Sequence, residues 1–369
     1  MNRVLGASLA VFVAVSALPV QAAETLPIIP FLDVWSKSPH ADKTSESFRH
    51  WDKEGKVPKA CAQCHSRDGF QDFVGADGTA EGVIDGEHGV DTVVDCVTCH
   101  NKATVKLDAV KFPSGVTISK TGSSSRCMIC HQGRESGASV DAAIADLPAD
   151  RPSDTLKFLN VHYRAAASTL WGTAVRVGYE YAGSTYRGRF EHAVNSEKKT
   201  SNMNECVQCH EPHSLAVRVD TCKTCHENIG DAKSLASIRT DRKDYDGDGN
   251  VSEGIAAEIT TLQEKLLATI QAYAQKVGKK PVAYHAHNYP YYFNDTNKNG
   301  KADDDEAVFK NQYKSWTPRL LKAAYNYQFS VKDTGAYAHN PGYVMQLLYD
   351  SLNDLSGPTR TSMKGLTRP

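Results

Sequence analysis

Cys206-Val-Gln-Cys-His210-Glu-Pro-His213, eight further residues, and then Cys222-Lys-Thr-Cys225-His226 is the stretch that decides how this chain folds. It holds two Cys-x-x-Cys-His runs separated by eleven residues. On a helical turn, positions i, i+3 and i+4 share a face. Two thiols there can form thioethers to a porphyrin edge while the next histidine reaches the iron, the pattern of c-type haem attachment. Two such groups so close in sequence must be neighbours in space.

The pattern accounts for every cysteine. The ten are Cys61/Cys64, Cys96/Cys99, Cys127/Cys130, Cys206/Cys209 and Cys222/Cys225, and each pair is followed at once by His65, His100, His131, His210 or His226. Disulfides, zinc sites or redox pairs would not require a histidine in that place five times out of five. The expectation is five covalent c-type haems. Haems themselves supply much of the apolar interior, and the segments between the first three motifs, such as Gly75-Ala-Asp-Gly-Thr79, read as turns. The expected class is therefore mainly α with extensive loop: a haem core of low secondary-structure content joined to a helical scaffold.

Residues 1–22 carry Arg3, an apolar run and small residues before Ala22, the pattern of a secretory signal peptide. That expectation places the mature chain outside the cytoplasm, in the periplasm or at the cell surface. No later segment has the unbroken apolar length of a membrane span. A formal net charge of −1 argues against a nucleic-acid partner. The organisation expected is signal peptide 1–22, haem-binding region 23–230 and helical scaffold 231–369.

Fourteen histidines minus five in motifs leaves nine, more than enough for five distal ligands, whereas methionine is scarce. Bis-histidine coordination follows as the default, which implies low potentials and closed iron sites. His50 stands beside Phe48 and Trp51, in a setting suited to packing on a porphyrin. His162 and His192 lie in a region without a motif. Pro212 should turn His213 away from the iron held by His210 and toward a different haem. His339 sits just before a helix that would hold it rigidly. These five are the expected distal ligands; His285, His287 and His88 rank below them, and His40 reads as a solvent-exposed loop residue.

Beyond His226 the texture changes. Ile255, Ile259, Leu262, Leu266, Ile270 and Tyr273 recur at spacings of three and four, which predicts a helix over 254–277 stopped by Gly278. Further helices are predicted from Pro318 to Val331 and from Pro341 to Leu355, with a frayed polar tail from Ser356. A Gly/Tyr-rich hairpin or looped arm is predicted over 178–190. Asp295, Asn297, Asn299, Lys301, Asp303 and Glu306 occupy ligand positions of a twelve-residue calcium loop with Gly300 at position 6. Asp244, Asp246, Asp248 and Asn250 match its first half only, so Glu253 or Glu258 must supply the missing carboxylate. Calcium in either loop would act as a structural clip.

The five motifs, the His-Glu-Pro-His link and the run Ala338-His-Asn-Pro-Gly-Tyr-Val-Met-Gln-Leu-Leu-Tyr-Asp-Ser351 resemble exported multihaem c-type cytochromes of respiratory bacteria. The resemblance implies electron transfer to periplasmic or extracellular acceptors, with other cytochromes or quinol-linked donors as partners and histidine on both sides of each iron. It implies a carrier without substrate turnover. Two alternatives stand beside it: a reductase of a small nitrogen or sulfur oxyanion with one open haem lined by Arg134, Lys223 or Tyr163, and a self-assembling cytochrome filament.

Overall fold

The computed structural model describes residues 28–192 and 203–369; the signal peptide expected over 1–22 lies outside them. Three long helices form the scaffold, Ile255–Lys276, Pro318–Lys332 and Pro341–Thr359, and the first packs against both of the others. Ile255–Lys276 buries Ile259, Leu262, Leu266, Ile270 and Tyr273, the apolar stripe seen in the sequence. Each such side chain withdrawn from water contributes roughly 1.5–3 kcal/mol. The helix ends where Gly278 passes so close to the Tyr313 hydroxyl and the Ala274 carbonyl that a Cβ would lie 2.7 and 2.9 Å from them.

Pro318–Lys332 begins on Thr317, whose hydroxyl accepts the Leu320 amide, with proline in the first turn where its missing N–H is harmless. Almost all of this helix is buried, and its polar side chains serve irregular backbone rather than solvent. Gln328 accepts the Val161 amide, Asn326 both accepts from and donates to the backbone of Tyr179, and Tyr325 donates to the Val177 carbonyl. The expected arm over 178–190 is therefore present as a loop and not as a hairpin. Side-chain amides have taken the backbone groups that a strand partner would use.

Pro341–Thr359 starts on Asn340, which accepts the Tyr343 amide. It runs past the predicted end at Leu355, and the frayed tail expected from Ser356 is not found. The last residues are tied down: the Thr367 amide donates to the Tyr245 carbonyl, Arg368 pairs with Asp350, and Gln346 donates to the Pro369 carbonyl. Their polarity is spent on specific partners inside the protein.

Among the described residues helices hold 41%, and the strands are three short two-stranded antiparallel ribbons. The motif region carries short helices linked by loops, as the mainly-α expectation requires. Phe70, Val74, Val110, Phe112, Met128 and Ile129 of that region belong to the same buried apolar cluster as Leu262, Leu266, Leu320 and Leu348 of the scaffold.

Candidate haem-binding centres

Four motifs carry both thiols on one short helix: Lys59–His65, Cys96–Cys99, Ser125–Cys130 and Cys206–Cys209. Their starts are set locally, as where Asp95 accepts the Thr98 amide, so that the i, i+3 thiols share one face. The fifth motif departs from the expectation of two thiols on one helical turn. Its helix, Val219–Lys223, includes Cys222 but ends before Cys225, which stands exposed in the following turn. The turn still closes tightly, because the Cys222 carbonyl accepts the amides of both Cys225 and His226, at 3.2 and 3.0 Å. The Thr224 hydroxyl, which donates to the Thr221 carbonyl, also approaches Cys225 Sγ at 3.8 Å. Little packs over this end of the motif, so the helix frays where the other four do not. Cys96 is exposed as well, but remains within its helix. No disulfide joins any two of the ten cysteines.

Every motif histidine faces a second histidine from elsewhere in the chain. Two imidazole nitrogens each about 2 Å from one metal put the ring centroids roughly 6–6.5 Å apart. The observed separations are 6.3 Å for His100 with His213, 6.3 Å for His131 with His40, 6.5 Å for His210 with His339 and 6.3 Å for His226 with His192. His65 and His162 lie at 5.7 Å, with their Nε2 atoms 3.4 Å apart. His285 and His287 are also 6.1 Å apart, but they are near neighbours in one turn, where His285 Nδ1 accepts the amides of His287 and Asn288.

The rings are held by their other nitrogen. His65 Nδ1 lies 2.8 Å from the Ser47 carbonyl, His131 Nδ1 3.2 Å from the Arg164 carbonyl and His339 Nδ1 2.8 Å from an Asp333 oxygen. With Nδ1 so engaged, Nε2 is the nitrogen left to ligate a metal. Burial pushes the imidazoles of His65, His131, His192 and His210 below their ordinary value and those of His40 and His162 down to about 4. The neutral form, which is the ligating one, prevails there. At His339 burial acts in the same direction, but the buried Asp333 carboxylate outweighs it and raises the imidazole.

Local backbone explains how the partners arrive. The motif helix stops at Cys209, already before Pro212, and Glu211 then shapes the turn: its carboxylate accepts the amides of His213 and Ser214 and meets His213 Nδ1 at 3.2 Å. Phe31 stacks on the His213 ring at 4.3 Å. His162 adopts a left-handed backbone, φ 75°, in a segment fixed by the Val161 amide on Gln328, the His162 amide on Asn160 and the Arg164 amide on the Lys332 carbonyl.

His50 does not face a motif histidine. Its ring is 58% exposed and its Nδ1 lies 2.7 Å from Glu46 one helical turn away, while the neighbouring Trp51 packs edge-on against His65. The position opposite His131 belongs to His40, read from the sequence as a solvent-exposed residue. His40 is placed by the Val94 amide on its own carbonyl and by the Trp35 indole on the Val94 carbonyl, long-range bonds with no sequence signature. His88 pairs at 2.8 Å with the buried Asp72. Asp333 and Glu211, which hold the rings of His339 and His213, are residues that the sequence did not single out.

The motifs meet in an order different from that of the chain. The Gln63 side-chain amide donates to the Ile129 carbonyl, the Cys206 amide donates to the Ser124 hydroxyl at the start of the third motif's helix, and the Cys206–Cys209 and Val219–Lys223 helices touch. First thus meets third, third meets fourth and fourth meets fifth, while His213 joins the second motif to the loop after the fourth.

The carboxylates of the 295–306 loop are engaged internally. Asp295 accepts the amides of Asn299 and Gly300, Asp303 accepts the side-chain amides of Asn297 and Asn299, Lys301 donates its amide to Asn299, and Glu306 accepts the amides of Thr296 and Asn297. One Glu306 oxygen, Oε2, is left without a partner. Among the described residues, the acidic groups gathered closely enough in threes to share one ion both lie in the 244–258 loop.

Thiol pairs on short helices, imidazoles several of which are held at Nδ1, and histidine pairs of which four stand at a metal-length spacing and one slightly closer fit the attachment of c-type haem. Comparison with known proteins agrees with that class: the matches are polyheme c-type cytochromes. C-type polyheme cytochrome OmcB of Geobacter sulfurreducens is 27% identical over 375 residues, 85% of this chain and 46% of the relative. C-type polyheme cytochrome OmcC of the same species is 27% identical over 381 residues, covering 86% and 45%. The chain thus spans about half the length of these relatives. No family model and no solved structure matches it. No helix among the described residues is long and apolar enough to cross a membrane.

Proposed function

We propose that the chain is an exported electron-transfer protein carrying five covalent haems, each held between two histidines, that serves a respiratory or extracellular electron-transfer chain. Bound haem supplies a one-electron ferric/ferrous couple. The attachment residues are the five cysteine pairs with His65, His100, His131, His210 and His226; the second ligands are His162, His213, His40, His339 and His192 in that order. His40 replaces His50 in the ligand set. The single observation that supports this most strongly is that all five motif histidines face another histidine, four of the pairs at metal-bridging distance and His65 with His162 somewhat closer.

The residues act by holding and shielding. Closing both axial positions with imidazole excludes substrate from the iron, which favours a carrier over the reductase reading. Two histidines without a methionine ligand favour low potential. The Asp333 carboxylate at His339 and the Glu211 carboxylate at His213 raise ligand basicity, lowering the potentials of those two sites further. The contacts of first with third, third with fourth and fourth with fifth motifs support an electron path in that order. Low-temperature EPR of the oxidised protein tests the reading: only low-spin ferric signals are expected, together with a mass increment of five haems. A high-spin signal equal to one haem would overturn the closed-site assignment.

A further inference from the structure

The half-matched loop 244–253 departs from the calcium pattern at its twelfth position, where Ile255 stands. The fold repairs the defect by a different route. Asp246 stands in two overlapping clusters: carboxylate oxygens of Asp246, Asp248 and Glu253 lie within 4.8 Å of one another, as do those of Asp244, Asp246 and Glu258. Oxygens each about 2.4 Å from one calcium ion lie at most about 4.8 Å apart.

The hydrogen bonds separate the ligands from the support. Both oxygens of Glu258 are engaged: one accepts from Arg239 at 2.6 Å, and the other accepts the amides of Tyr245 and Asp246 at 2.9 Å. Asp244 accepts the amides of Gly247 and Gly249, one on each oxygen, and Asp248 accepts the Asn250 amide on one oxygen, bonds that curl the loop around Asp246. Asp246 is completely buried; its Oδ1 accepts the Asp248 amide, but its Oδ2 has no partner, and neither has Glu253 Oε1. Burial raises the Glu253 carboxyl, and Asp248 and Asp246 raise it further. The neighbouring cations are spent elsewhere: Lys265 is bonded to the Asp246 backbone carbonyl, and Arg239 to the Glu253 backbone carbonyl and to Glu258. A buried carboxylate oxygen without a partner costs on the order of several kcal/mol unless a cation satisfies it.

We infer that Asp244, Asp246, Asp248 and Glu253 bind a calcium ion, with Glu258 and Arg239 as the frame that holds the loop, and that the bound ion fastens segment 363–369 to the scaffold. The link to the segment is direct. The Tyr245 carbonyl accepts the Thr367 amide, and Gly247 lies so close to Gly365 that a Cβ would come within 2.9 Å of its carbonyl carbon. Arg368 then reaches both Asp350 and the Thr185 carbonyl in the arm that leads to His192. The inference does not depend on the number of haems.

Calorimetric titration of the full haem-bearing chain with calcium chloride tests it. Saturable binding with half-saturation on the order of 10⁻⁴ M is expected, weakened at least about tenfold in Asp246→Asn and in Glu253→Gln and unchanged in Glu306→Gln. In chelator, Asp246→Asn should unfold at or above the temperature of the calcium-free wild type, because the substitution removes a buried charge; a purely structural Asp246 would give a lower temperature. Amide exchange at Thr367 should slow on adding calcium to the wild type and not to Asp246→Asn. Absence of saturable binding, or binding that survives Asp246→Asn and is lost in Glu306→Gln, would overturn the site. Thr367 exchange indifferent to calcium would overturn the fastening of the segment.

Discussion

At the residue scale, the division of labour among histidines is set by what their Nδ1 atoms and backbones touch. His40 and His50 are close in sequence, yet only His40 is carried to a motif histidine, by bonds to Val94 that no local pattern announces. Replacing His40 by Met should raise the potential of one haem by on the order of 0.1 V or more, whereas His50→Ala should leave all five unchanged; spectroelectrochemical titration of the two variants distinguishes them. A second prediction concerns Asp72, buried with His88, the Asp85 amide and the Thr79 hydroxyl as partners. Burial opposes its ionisation, but these partners outweigh burial and lower its carboxyl below the ordinary 3.8. The ionised form is therefore favoured by the fold. Its contribution is fully present above that ordinary value and is lost as pH falls through the lower folded one. Asp72→Ala should cost about 2–3 kcal/mol in urea unfolding at neutral pH and flatten the acid limb of the stability curve.

At the element scale, loops carry the second histidines and the helices aim them. Pro318–Lys332 was legible as an amphipathic helix from Leu320, Leu321, Ala324, Tyr325 and Phe329, but its buried Asn326 and Gln328 carry as much of the architecture. They hold the backbone ahead of His162 and His192 in place of a β partner. The turn at Gly172 joins the helix Ala166–Trp171 to that arm. Gly172 has φ 51°, and a Cβ there would meet the Arg187 carbonyl at 2.3 Å. Gly172→Ala should therefore destabilise by about 1–3 kcal/mol and loosen the arm, seen as a lower unfolding midpoint and faster amide exchange at Phe190, whose amide bonds the Leu170 carbonyl.

At the scale of the whole molecule, the apolar cluster runs without a break from Phe70 and Met128 in the motif region to Leu266 and Leu348 in the scaffold. Regions that share one core unfold together. Far-UV circular dichroism, reporting the scaffold helices, and Soret absorbance, reporting haem ligation, should give coincident transitions; two separated midpoints would show the regions to be independent. The contacts among motifs likewise belong to this scale. They bring the first against the third and link the second to the fourth through His213, an order the linear sequence does not contain.

The sequence by itself determined the spacing of the five thiol pairs and the three scaffold helices, because each depends on residues three or four positions apart. Local geometry of that range is written directly in spacing. The tertiary structure decided which distant histidine meets which motif, that His40 and not His50 faces His131, and that the fifth motif's helix stops short of Cys225 where little packs over it. It also decided that residues after Ser356 are fastened rather than frayed, and that the poorer of two calcium-like loops gathers the closer set of carboxylates. Those outcomes rest on contacts between residues far apart in the chain, such as Val94 with His40 and Tyr245 with Thr367. Their partners are selected by packing of the whole chain, which no short window of sequence encodes.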